Sequence, residues 1–287
     1  MQPTERSRAV NAAMTIASAA GLTATDAIVL QDSNALTLRL LPCDVVARVA
    51  PTAQQSAEFE VELAQRLTET GSPVGALDPR VEPRVRERNG FVVTLWTYYE
   101  AVAAGELSPV DYANALARLH AGMRKVDVTT PHFTDRVDDA QRLVASHEHT
   151  PALADADREL LSTTLRDVRR TICDRGAPEQ LLHGEPHPGN VLNTKDGPVF
   201  IDHETCCRGP VEFDLAHVPE EVSGHYPGVD QELLGECRGL VVAMVAAWRW
   251  DRDDQLPNGQ RAALELLSVL REGAPWPSLD VVWGRFE

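Results

Sequence analysis

The stretch from Leu181 to Thr205 constrains this chain most. Two short apolar runs, Val191–Thr194 and Pro198–Ile201, flank the turn residues Lys195-Asp196-Gly197. This is a β-hairpin signal, because a glycine among polar turn residues supplies the backbone that tight antiparallel connections need. Polar clusters stand at both ends: His183-Gly184-Glu185-Pro186-His187-Pro188-Gly189-Asn190 before it and Asp202-His203-Glu204 after it. A hairpin returns the chain to its starting edge. Both clusters therefore belong to the same end of one rigid element, and Glu185, Asn190 and Asp202 are expected to converge on one small site.

The hairpin interrupts a helical region that follows a strand-rich one. Ala27–Leu30, Leu36–Leu40, Val45–Val49 and Phe91–Leu95 read as strands, from apolar runs, alternation or β-branched content. Gln31-Asp32-Ser33-Asn34 forms a turn between the first two, and Pro51 ends the third. Ser56 to Thr70 reads as a helix that stops at Gly71. On it Glu60, Leu63, Ala64 and Leu67 share one face by three- and four-residue spacing. A carboxylate thus joins an apolar stripe. Helical patterns then cover Pro109–Met123, Asp135–Glu148, Asp155–Cys173, Gln231–Arg249 and Gln260–Arg271. The expected architecture is α+β and bilobal: a small β-rich lobe with one helix over residues 1–95, a hinge at 96–100, and a larger helical lobe over 101–287.

Composition narrows the partners. A net charge of −16 argues against a nucleic-acid surface, which needs clustered Lys and Arg, and suits a cationic small substrate. No apolar run is long enough to span a bilayer, so no membrane partner is expected. The N-terminus has no apolar core of a signal peptide, and five scattered cysteines fit a reduced compartment, so the expectation is a cytoplasmic protein. Nothing in the sequence sets an oligomeric state.

The residues at the hairpin match the needs of phosphoryl transfer. One carboxylate orients an attacking hydroxyl and accepts its proton, while an amide and a second carboxylate hold a hard cation against nucleotide phosphates. Here the chain resembles the aminoglycoside phosphotransferase and choline-kinase-like family, which has a protein-kinase-like fold. The family loop His-Gly-Asp-x-His-x-x-Asn is matched by His183 to Asn190, and the family Ile-Asp by Ile201-Asp202. Asp214-Leu215-Ala216 and Leu119-His120 match two further family segments. The resemblance runs from about residue 25 to about residue 250.

It implies that Glu185 takes the catalytic-base position and that Asn190 and Asp202 take the metal positions, with Mg²⁺ and ATP or GTP as cofactors. Ser33 and Asn34 fall at the nucleotide-covering turn. Arg48 falls where the family has its phosphate-pairing Lys, with Glu60 as its ion-pair partner. Leu95, Trp96, Thr97 and Tyr98 become the hinge that contacts adenine. The implied activity is O-phosphorylation of a small hydroxylated molecule, such as an aminoglycoside-like compound, held by residues between about 210 and 287. Antibiotic resistance is one role this implies.

Two positions depart from the family. Glu185 stands for Asp, and its extra methylene moves the carboxylate by about 1.5 Å. Arg48 stands for Lys, and the only lysines are Lys125 and Lys195, neither near it in the chain. Both changes keep charge, which suggests retuning; a loop shift or a differently seated substrate would absorb the first. The alternative is a nucleotide-binding pseudokinase with a regulatory or scaffold role. A zinc-deaminase reading of His183-Gly184-Glu185 lacks the Pro-Cys-x-x-Cys it needs. A His-Glu-x-x-His metalloprotease reading fails because Gly184 and Pro186 would break its helix. His183 and Asp214 are expected to brace the loop by hydrogen bonds, and the tryptophans to pack.

Overall fold

The computed structural model describes residues 1–33, 35–53, 56–102 and 107–284. The chain divides into two compact units. The first holds Met1–Glu106 and Leu192–Glu204, and the second holds Leu107–Val191 and Thr205–Glu287. Helix content in the second unit and sheet content in the first give the α+β class expected from sequence.

In the first unit, helix α1 (Pro3–Ala19) precedes strands β1 (Ala24–Asp32), β2 (Leu36–Pro42) and β3 (Val45–Pro51), helix α2 (Ser56–Glu69), and strands β4 (Arg86–Arg88) and β5 (Phe91–Thr97). The strands form one antiparallel sheet in the order β1-β2-β3-β5-β4. Period-two alternation decides what each face carries. Leu36, Leu38 and Leu40 of β2 and Val45, Ala47 and Val49 of β3 are buried together on the face covered by α1. The residues between them, Arg48 included, belong to the other face.

Helix α1 is an addition to the single helix expected in this region. Pro3 opens it, where a missing N–H costs nothing, and Ala9, Ala12, Ala13, Ile16 and Ala17 form its buried face. Four of those five are alanines, so the helix lies close on the sheet yet shows almost no contrast in an apolar pattern. Strand β5 also runs to Thr97, two residues beyond the expected end, and takes Trp96 and Thr97 out of the loop assigned to them.

Strands β7 (Val191–Thr194) and β8 (Gly197–Phe200) form the predicted hairpin, with Thr194 Oγ1 donating to the Gly197 carbonyl (2.7 Å) across the turn. Within the first unit, Phe200 exchanges backbone bonds with Pro73 and Gly75 at 2.8 Å each, and Val102 N–H donates to Asn193. The end of the hairpin that carries Asp202 is thereby fixed to the unit.

The second unit contains α3 (Pro109–Met123), α4 (Phe133–Ala145), α5 (Asp155–Asp174), the strands β6 (Glu179–Leu182) and β9 (Cys207–Pro210), α6 (Val211–Leu215), α7 (Glu220–His225), α8 (Gln231–Trp248), α9 (Gly259–Glu272) and α10 (Leu279–Trp283). Its centre is α8, which packs against α4, α5, α6 and α9. It is apolar almost all round, as a helix buried on every side must be: Leu233, Leu240, Val241, Val242, Met244 and Ala247 are all buried. Gly239 on α8 lies so close to the Trp276 ring that a methyl group would overlap it. Antiparallel β6 and β9 flank the polar loop, so Leu182 faces Cys207 just before His183. Among the described residues no helix is long and apolar enough to cross a membrane.

Candidate active site

Arg48 is the organising cation of the first unit. It sits on β3, a strand paired on both sides, opposite Thr37 of β2 and Thr94 of β5. Its side chain is 19% exposed and forks between elements. Nη1 donates to Glu60 Oε1 at 2.7 Å, and Nη2 donates to Asp202 Oδ1 at 3.0 Å. Glu204 Oε2 lies 3.8 Å from the same Nη2. Glu60 is buried with Leu63, Ala64 and Leu67 on α2.

Three carboxylates around one guanidinium make an electrostatically crowded site. Burial pushes Glu60 up to about 7; Arg48 pulls the other way, and the neighbouring charges of Asp202 and Glu204 add to the rise. Asp202 holds a left-handed backbone (φ +65°) just beyond the hairpin. Aspartate tolerates that region better than most residues. Oxygen atoms of Glu60, Asp202 and Glu204 all lie within 4.8 Å of one another. An all-oxygen set of this kind suits a hard divalent cation, so the residues present fit Mg²⁺. Glu204 was legible as a neighbour of Asp202 in the sequence but was given no role there.

A shallow cleft opens beside this cluster, with Ala35, Ala50 and Val92 on its apolar wall and Arg48, Glu60 and Glu204 on its polar side. Ser33, at the preceding turn, is exposed and hydrogen-bonded to Gln31 Nε2 at 3.2 Å. Asn34 lies outside the described residues. In the stretch assigned to adenine contact, the Leu95 carbonyl already accepts from Asp78 N (3.1 Å) and Thr97 N–H already donates to Ala76 (2.9 Å). Trp96 is buried and donates its indole N–H to Thr94 Oγ1 at 2.7 Å. Tyr98, half-buried under the stacked Arg39 guanidinium 3.8 Å away, is the first residue past the strand.

In the second unit the polar loop hangs from one buried carboxylate. Asp214 accepts from His183 N–H (2.9 Å) and Gly184 N–H (2.8 Å), and its Oδ2 lies 2.9 Å from His120 Nε2. His120 Nδ1 in turn lies 2.8 Å from the Tyr226 hydroxyl. Burial would raise the Asp214 carboxyl, but the hydrogen bond from His120 and the facing His183 amide hold it below the ordinary range. The expected bracing roles of Asp214 and His183 are present in the geometry. Gly184 has φ +89° and presses against the Thr205 carbonyl, so no side chain fits there. Tyr112 donates its hydroxyl to the Pro186 carbonyl, and Asn190 Nδ2 donates to the Glu185 carbonyl at 3.0 Å.

Glu185 itself is ion-paired to Arg136 of α4, a residue the sequence reading passed over. Burial works to raise the Glu185 carboxyl, and the Arg136 charge more than reverses it, leaving the group below its ordinary value. His217 lies near both. Burial drives its imidazole down to about 4, and its Nε2 has no hydrogen-bond partner. Nothing in an i, i+4 pattern announces Arg136 or His217, because their partner is distant in sequence.

The site residues thus fall into two sets. Arg48, Glu60, Asp202 and Glu204 come together in the first unit; Glu185, Asn190, Arg136 and His217 come together in the second.

The β-sheet unit thus carries a bonded Arg–Glu pair, and the helical unit carries a pinned acidic loop. The sequence pattern described as "Phosphotransferase enzyme family" matches residues 35–256, and the chain belongs to that family. It is a small-molecule kinase by class. Among curated proteins none matches it significantly. Solved structures show the same fold. An amicoumacin kinase in complex with AMP-PNP, Ca²⁺ and its ligand is 11% identical, with 96% of this chain and 97% of that one covered and a TM-score of 0.71. A GDP complex of aminoglycoside 2'-phosphotransferase-IIIa is 14% identical over 94% and 99% of the two chains, with a TM-score of 0.69. A choline/ethanolamine kinase family protein from Mesorhizobium loti is 18% identical over 94% of each, with a TM-score of 0.64.

Proposed function

We propose that the chain transfers the γ-phosphoryl group of ATP or GTP to a hydroxyl of a small molecule in the cytoplasm, with Mg²⁺ as metal. The carrying observation is Arg48, which joins the sheet to Glu60 of α2 and to Asp202 at the hairpin end. In this reading Glu185 orients the attacking hydroxyl and takes its proton. Its lowered pKa keeps it ionised at neutral pH, so its oxygens can accept a hydrogen bond from the hydroxyl. Arg48 pairs with nucleotide phosphates, and Glu60 holds it in place. Asn190 and Asp202 are the residues that would hold the metal, with Glu204 close to Asp202. When bound, Mg²⁺ would neutralise phosphate charge that protein groups alone leave uncompensated.

Residues 96–100 are the hinge. Because Leu95 and Thr97 already spend a backbone group on the 76–78 segment, the adenine contact falls chiefly to Tyr98 and the residues after it. Ser33 and Asn34 cover the nucleotide. The acceptor is an amine-bearing alcohol of the aminoglycoside type, consistent with the net charge of −16, and it lies against residues between about 210 and 287. Antibiotic resistance is the biological role this reading carries. The AMP-PNP and GDP in the complexes named above support the nucleotide part of this reading.

A thermal-shift titration with Mg·ATP and Mg·GTP tests the site. Ligand at about 100 times Kd stabilises by about 2.7 kcal/mol. The expected result is a metal-dependent rise in Tm that Asp202→Asn removes. Phosphotransfer to an accepted alcohol is then lost in Glu185→Ala. A nucleotide shift that survives Asp202→Asn, or full activity in Glu185→Ala, would refute these assignments.

A further inference from the structure

We propose that Arg136 is a positioning residue that fixes the reach and direction of the Glu185 carboxylate. This rests on the reading of Glu185 as the group that orients the attacking hydroxyl.

Glu185 carries one methylene more than the aspartate of related loops. A longer side chain has one more rotatable bond and a wider arc for its carboxylate. Arg136 removes that freedom by gripping two points at once. Nη2 donates to Glu185 Oε1, while Nη1 donates to the carbonyl of Gly184 at 3.2 Å. One planar fork thus ties the tip of the side chain to the backbone one residue before it. A guanidinium is suited to this because its donors are held in a fixed plane.

The fork is itself held. The Arg136 guanidinium lies 5.1 Å from the Trp248 ring of α8, the most buried helix of the unit. The Gly184 carbonyl is steady because Asp214 pins the Gly184 amide at 2.8 Å and a side chain at that position is excluded by Thr205. From the other side Asn190 Nδ2 donates to the Glu185 carbonyl at 3.0 Å, which fixes the backbone end of the same residue. The grip takes only Oε1 and leaves the second carboxylate oxygen to face an acceptor hydroxyl, since an ionised carboxylate can accept at both oxygens. A grip that depends on the glutamate's length also predicts that the shorter family residue is worse here, not better.

The test uses the full chain and hydrolysis of Mg·ATP without an acceptor, so that water takes the place of the hydroxyl. Four variants are compared with wild type: Arg136→Gln, Arg136→Lys, Glu185→Gln and Glu185→Asp. Displacing the carboxylate by about 1 Å costs roughly 10²-fold in rate. Arg136→Gln is expected to lose kcat on that scale while KM for Mg·ATP stays within about twofold. Arg136→Lys recovers part of kcat, because an ammonium keeps the charge but cannot fork. Glu185→Asp also falls below wild type. Melting curves establish that each variant is folded; if Arg136→Gln is not, Arg136→Lys decides, with wild-type kcat overturning the proposal. Wild-type hydrolysis by folded Arg136→Gln, with Glu185→Gln impaired, overturns it as well. An unimpaired Glu185→Gln, or no hydrolysis by wild type, strikes the underlying reading of Glu185 instead.

Discussion

Arg48, Asp214 and His217 show three ways of burying an ionisable group. Arg48 is matched by surplus carboxylates, and Asp214 by amides and an imidazole. His217 is matched by nothing at Nε2, and it answers by losing its proton. That state has a pH signature. An unfolded histidine titrates near 6.5, whereas His217 in the fold titrates at about 4. Between those values the unfolded chain binds more protons, so stability rises with pH. The contribution is present above about 6.5 and is lost as pH falls toward about 4, roughly 3 kcal/mol in all. Urea denaturation from pH 7 to pH 4 should show that slope, and His217→Phe, which keeps a ring but cannot titrate, should flatten it. Asp214→Ala is expected to cost more at neutral pH, about 3 kcal/mol or above, because two loop amides and His120 lose their acceptor together.

Among the elements, legibility followed contrast. The hairpin, α2 and α3 were visible because their turn residues, stop signals and apolar spacing are sharp, and α3 has the predicted bounds of Pro109 to Met123. Helix α1 was invisible because its inner face is mostly alanine, chosen for close approach and not for bulk. The β6–β9 pair is as short as the hairpin strands but has no turn joining it, so its two strands, far apart in the chain, leave no local signal. The acidic and amide members of the site could be read from one loop and one hairpin end. Arg136 could not, since Glu185 lies 49 positions away and an ion pair at that range leaves no local trace. Packing between elements has its own test. Gly239→Ala on α8 would normally gain about 1 kcal/mol of helix propensity. Here its methyl meets the Trp276 ring, and overpacking of about 1–3 kcal/mol should dominate. Chemical denaturation should show net destabilisation, relieved when Trp276→Ala is added.

For the whole molecule the dominant fact is charge. At −16 the chain repels itself, and the repulsion is strongest when counterions are scarce. Screening shortens from a Debye length of about 30 Å at 0.01 M salt to about 8 Å at 0.15 M. The melting temperature is therefore expected to climb as NaCl rises over that range. A flat or falling trend would show that the acidic residues are already compensated by the arginine pairs that thread both units. A polyamine such as spermine, added at low salt, should raise Tm at far lower concentration than NaCl does.

The first unit is not a continuous piece of chain: residues 192–204 return to it after the whole first segment of the second unit, 107–191, has been laid down. Synthesis runs from the N-terminus, so Arg48 and Glu60 leave the ribosome well before Asp202 and Glu204 exist. During that interval the guanidinium has one carboxylate where the finished protein gives it three. No single cut can separate the two units intact, and a gene fragment ending at residue 106 would encode a sheet without the hairpin that completes it. Shuffling the first unit onto another helical unit would need three junctions placed at once, which ties the two halves into one inheritance.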